Sequence, residues 1–109
     1  MRPRPPRFIA LLVIAAALIA PGCSEEATSP LAEQGRQVYL AQCIACHASD
    51  IAKPGPVGPP VKGSSGELLE AKILRGTYPP GYTPKRPTAV MQPMPALGPA
   101  IPALAEYLK

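Results

Sequence analysis

The 109-residue chain has no Trp, one Phe (Phe8), one His (His47) and an odd number of cysteines, three. Each shortage excludes something. With four Tyr and one Phe as its only aromatics, the chain has few large apolar side chains to fill an interior, which suggests that something else fills the middle, the alternative being a loosely packed or partly disordered domain. A single histidine excludes a centre built from several imidazoles. Runs of like charge are absent, which excludes an acidic or basic interaction tail. No alternating strand pattern and no internal repeat recur, which leaves helices and loops. Proline, by contrast, is plentiful at 17 residues.

The one long apolar run, Phe8 to Ala20, follows Arg2, Arg4 and Arg7, the pattern of an export signal's charged and apolar regions. It is shorter than the roughly 20 residues a helix needs to cross a bilayer. Residues 1–22 therefore read as a signal peptide. Small residues at Ala20 and Gly22 lead into Cys23, as at the lipidation site of bacterial lipoproteins, with ordinary cleavage at a small-x-small site as the competing reading. Lipid on Cys23 also accounts for the odd cysteine, because Cys43 and Cys46 then remain as a working pair. Residues 23–30 read as the lipidated cysteine and a polar tether.

Removal of residues 1–22 takes away three of the eleven Lys and Arg and none of the seven acidic residues, so the formal charge falls from +4 to +1. The pI of about 9.2 thus belongs largely to the signal, and no nucleic-acid partner is expected. The remaining 87 residues suffice for one small domain, 31–109, with little capacity to bury apolar surface unaided.

Within that domain Ser29 and Pro30 open a helix as N-cap and first helical residue, and Leu31, Gly35, Val38 and Tyr39 mark its inner face as it runs into Cys43. Residues 48–63 are loop. Ser64 and Glu67 form a capping box for a second helix with Leu69 and Ile73 inward and Gly76 past its end. Residues 77–99, with seven prolines, are expected to hold no helix. A last helix starts near Ile101 or Pro102 without a good N-cap and turns Ile101, Leu104, Tyr107 and Leu108 toward a partner.

The stretch carrying chemistry is "CIACH", residues 43–47. Structural zinc takes four protein ligands and catalytic zinc at least three; this motif offers three and no further Cys or His follows, so only carboxylates could complete the set. A thioredoxin-like dithiol opens a helix beside strands, whereas this motif closes one and has no strands nearby. Covalent haem is the third chemistry: two thiols join the porphyrin's vinyl groups and the adjacent histidine reaches the iron. CxxCH is its attachment signature, and export adds weight, because such haem is attached outside the cytoplasm.

From Leu31 onward the chain resembles the class I c-type cytochromes of bacteria. The resemblance implies an all-α fold, a small cytochrome c domain with three main helices around one covalently bound haem c, and long Pro-rich loops. It implies a crossing of the first and last helices at Gly35, Tyr39 and Tyr107. "GPPVKG", residues 58–63, is similar to the family's Gly-Pro-x-Leu-x-Gly loop, with Val61 for Leu, and this implies that the Pro59 carbonyl accepts the histidine's second N–H.

Cofactor-binding residues are then Cys43, Cys46, His47, Pro59 and Met94. With one histidine, the sixth iron ligand falls to methionine; Met94, followed by Pro95, matches the family best, and Met91 is the reserve. Two protein ligands leave no open iron site, so the expectation is a one-electron carrier and no enzyme. It would be exported, lipid-anchored on the periplasmic side of a bacterial membrane, and would serve a dehydrogenase or quinol-oxidising complex as donor and a terminal oxidase as acceptor. The alternatives are a haem-based ligand sensor or small peroxidase with an open iron, or a cytochrome subunit of a larger complex. Lys53, Lys62, Lys85 and Arg86 flank the haem loops and are placed to guide an acidic partner. "YPPGY", residues 78–82, has no assigned counterpart.

Overall fold

Ser29 caps the first helix, as its sequence position predicts: its hydroxyl accepts the Ala32 N–H at 3.1 Å, and Pro30 occupies the first helical position, where a missing N–H costs nothing. This computed structural model describes residues 28–109; the expected signal peptide, 1–22, and Cys23 lie outside the described residues. Helix α1 spans Pro30–Gln42 and ends with Cys43 as its C-cap. Its buried face is Ala32, Gly35 and Tyr39. Gly35 and Tyr39 are buried as expected and Val38 packs against the core, but Leu31 is 42% exposed and Ala32 takes its inward place. The partner helix approaches Gly35 closely, and Ala32 and Tyr39, three before and four after it, share that face.

Helix α2 spans Gly66–Leu69 and continues as a π-helical stretch, Glu70–Leu74. Its N-cap is Ser65, whose hydroxyl accepts the Leu68 N–H at 3.1 Å; Ser64, the expected cap, instead donates to the Val61 carbonyl at 2.6 Å. Leu69 and Ile73 are buried as predicted, and Gly76 takes the left-handed φ of +68° that ends the element.

The proline-rich stretch is not wholly irregular. Pro95–Ala100 forms a 3-10 helix, with Pro95 where no N–H is needed, that runs directly into α3, Ile101–Tyr107. No side chain caps α3, because the preceding 3-10 turn already supplies its entry.

Where α1 and α3 cross, a Cβ on Gly35 would overlap the Ala103 carbonyl and the Tyr107 Cβ. Backbone therefore lies against backbone. Tyr39 and Tyr107 meet there with ring centroids 5.6 Å apart and planes tilted by 50°. Tyr39, Leu69, Ile73, Ile101, Leu104 and Leu108 form the buried core. The described residues contain helices and no strands, the all-α arrangement expected. The core is small, six residues, and Cys43 packs against it.

Candidate haem site

The motif is a turn held at every step. Cys43 N–H continues the helix to the Tyr39 carbonyl at 2.9 Å, and the Cys43 carbonyl then accepts Cys46 N–H at 3.2 Å and His47 N–H at 2.9 Å. The Cys46 carbonyl accepts Val57 N–H at 3.1 Å and Gly58 N–H at 2.7 Å, so the following loop folds back onto the motif. Just beyond His47, the Ala48 carbonyl accepts the buried Tyr39 hydroxyl at 2.6 Å. Burial pushes that phenol up to about 12, which keeps it a neutral donor.

His47 is oriented by a single strong contact. Its Nδ1 lies 2.9 Å from the Pro59 carbonyl oxygen. A carbonyl only accepts, so Nδ1 carries the proton and Nε2 presents its lone pair. Gly58 sits against the imidazole: a Cβ there would overlap ring atoms Cε1, Nδ1 and Nε2. Sequence reasoning placed Pro59 at this contact but missed Gly58. The available signal was a glycine directly before the proline already assigned to the histidine.

A cavity of about 540 Å³ opens beside the motif, within the size range of small-molecule and cofactor sites. Cys43, Cys46, His47, Pro59, Met91 and Met94 all line it, so each haem-pocket residue expected within the domain comes to one place. Met94 is fixed by its backbone, which donates to the Ile73 carbonyl at 2.6 Å and accepts Leu97 N–H at 3.0 Å. It begins the 3-10 helix, and the Met94 and Met91 side chains both pack on the core.

Lys85 and Arg86 line the cavity as well; Lys53 and Lys62 do not, and Lys53 lies 3.7 Å from Asp50 instead. Lys72, Tyr78 and Tyr82 complete the wall on the side the sequence left unassigned. The two tyrosine rings stack with centroids 5.3 Å apart and planes within 10°, and Lys72 Nζ sits 4.4 Å from the Tyr78 centroid. Gly81, at a φ of +77°, lets the loop turn tightly enough to bring them together. Lys72 lies in the π-helical stretch, a register that helical periodicity does not reveal.

The geometry discriminates among the three chemistries. Among the described residues no group of three or more His, Cys, Asp or Glu converges as a metal site, so they offer zinc no ligand set. Cys43 closes a helix, and burial raises its thiol to about 11, the opposite of an activated redox thiolate. Two unbridged thiols, one half-buried and one exposed, stand at the wall of a largely apolar cavity beside an imidazole whose Nε2 is free to bind. Residues 32–109 match the Cytochrome c family model, 78 of the 109 residues. The chain belongs to the cytochrome c family. A search of curated proteins returns no match.

Haem c, covalently attached, is the cofactor of this family, and the Cys43–Cys46 spacing is that of its attachment motif. The residues present fit the group. Cavity volume, apolar lining, paired thiols and a histidine held in the correct tautomer each match what a flat, hydrophobic macrocycle with a central metal requires. This cytochrome therefore resolves the shortage of aromatics in its sequence: the cofactor takes the place of a larger side-chain core.

Proposed function

We propose that this cytochrome is a one-electron carrier with His47 and Met94 as axial ligands, Cys43 and Cys46 as thioether anchors, and no enzymatic turnover of its own. When bound, the haem supplies one-electron exchange between ferric and ferrous iron. The chain's residues do the rest. Pro59 holds the imidazole through Nδ1–H, which leaves Nε2 as the donor and would strengthen its bond to the iron. Cys43 and Cys46 fix the cofactor's position. Met94 would offer its thioether to the iron from a backbone pinned between Ile73 and Leu97. The observation carrying the proposal is that a nitrogen donor and a methionine line the same cavity. With His47 and Met94 both holding the iron, no site for substrate would remain on the metal, and the chain has no second histidine to act as an imidazole acid or base.

The reading extends to the cell. The export pattern of residues 1–22 and the small residues before Cys23 support a lipid-tethered protein on the periplasmic side of a bacterial membrane. No helix among the described residues is long and apolar enough to cross a membrane. A dehydrogenase or quinol-oxidising complex is the donor class and a terminal oxidase the acceptor class, meeting it through a small interface. Nucleic acid has no part in it.

The visible spectrum of the protein purified from membranes tests this. A weak sulfur-to-iron band at the red end and a ferrous form indifferent to carbon monoxide are expected. A high-spin spectrum that shifts with carbon monoxide would instead assign a sensor or peroxidase with open iron.

A further inference from the structure

Val57, Gly58, Pro59 and Pro60 each offer a carbonyl, and all four are occupied. Arg86 Nη1 donates to Val57 at 2.5 Å, Gly55 N–H to Gly58 at 2.9 Å, His47 Nδ1 to Pro59 at 2.9 Å and Lys85 Nζ to Pro60 at 2.8 Å. The segment has only two N–H groups of its own, because both prolines lack one, and both go to the Cys46 carbonyl. Tandem prolines make it stiff. Whatever holds its ends therefore holds the Pro59 carbonyl between them.

Those ends are held by two cations from a distant part of the chain, 25 and 29 residues further on. Arg36, Lys53, Arg75 and Lys109 each lie beside a carboxylate; the contacts of Lys85 and Arg86 are to backbone carbonyls. Hydrogen bonds with a charged donor are stronger than neutral ones. The 77–90 loop is thereby strapped across the segment that orients the histidine. On its other flank the segment continues into Val61 and Lys62, whose N–H groups both donate to Ile51 at 2.9 Å.

We infer that Lys85 and Arg86 are positioning residues for His47: they clamp the two ends of the Val57–Pro60 segment and so keep the Pro59 carbonyl on Nδ1. This rests on His47 as the iron ligand for its electronic consequence. A carbonyl held firmly on Nδ1–H makes the imidazole a stronger donor to the metal and favours the ferric state. Loosening the clamp raises the reduction potential, whereas deleting a nearby cation by itself lowers it. The potential alone thus mixes two opposed effects, and a separate readout is required.

The test is hydrogen exchange of the His47 Nδ1 proton in the ferrous holoprotein, followed by NMR. In the Lys85→Met/Arg86→Met variant exchange should quicken roughly tenfold or more, while amides of the α1–α3 core keep their rates. Lys85→Arg and Arg86→Lys should restore slow exchange, and Lys53→Met, which also removes one cation, should leave it unchanged. If the double variant does not assemble, each single methionine variant should show part of the acceleration. Unaltered exchange in the methionine variants overturns the inference. Failure of the ligand assignment looks different, since His47 protons would then lack the large ring-current shift of a haem ligand whatever the exchange rate.

Discussion

Gly35 and Ala103 mark the point where α1 and α3 touch backbone to backbone: a Cβ at Gly35 would lie inside the Ala103 carbonyl. The obstacle is main chain, which does not swing aside as a side-chain tip does. Gly35→Ala gains about 1 kcal/mol of helix propensity but incurs overpacking of roughly 1–3 kcal/mol, and the rigid contact puts it at the upper end. The denaturation midpoint should fall. A midpoint that rises would mean that the two helices stand apart.

Tyr39 ties stability to pH through the same crossing. Its phenol is raised from 10.0 to about 12 by burial, and its hydroxyl donates to Ala48 beside His47. The folded state prefers the protonated form, so its contribution is complete below pH 10. It is lost as pH rises from about 10 to 12, where the unfolded chain ionises first. Tyr39→Phe lacks both the hydrogen bond and the titration. Its thermal midpoint should be lower at neutral pH and should decline less between those limits, as calorimetry at a series of pH values would show.

Much of this was legible in the sequence, for physical reasons that differ by element. Ser29–Pro30 and the CxxCH spacing are local signals: a cap hydroxyl reaches three residues ahead, and a thioether pair needs a fixed separation. Met94 and Pro59 were reached through family resemblance, and both line the cavity that holds the motif. The misplacements have different causes. Leu31 lost its inward place to Ala32 at the crossing with α3, a tertiary contact, and Ser64 lost its cap to Ser65 because its hydroxyl is bound to the Val61 carbonyl. Lys72 depends on a π-helical register, and the Tyr78–Tyr82 stack on the turn at Gly81. The clamp of Lys85 and Arg86 spans 25 and 29 residues, and no window of local periodicity contains it.

Gly58 gives a sharper probe of the histidine than any change at the histidine itself. A methyl group there would occupy the space of the imidazole ring, and Gly58 N–H is bound to Cys46, so the loop has little freedom to withdraw. Gly58→Ala should turn or displace the ring and lengthen the contact to Pro59. The expected outcome is a lower yield of haem-loaded protein and, in what is loaded, a shifted red-end band. A native spectrum at full yield would show that the imidazole does not depend on this contact.

Met94 and Met91 line the same cavity three residues apart, and they differ in how the backbone holds them. Met94 is pinned to Ile73 and Leu97 at the entry to the 3-10 helix, flanked by Pro93 and Pro95, whose rings restrict the main chain on both sides. A ligand on so constrained a backbone loses little freedom when its thioether binds metal. Met94→Ala should abolish the sulfur-to-iron band, let the ferrous protein take up carbon monoxide and lower the reduction potential, because the electron-poor thioether that favours ferrous iron is gone. Met91→Ala should keep the band and remove only packing against the core. The reverse pattern, with the band surviving in Met94→Ala and lost in Met91→Ala, would transfer the ligand to Met91 and leave Met94 as part of the cavity wall.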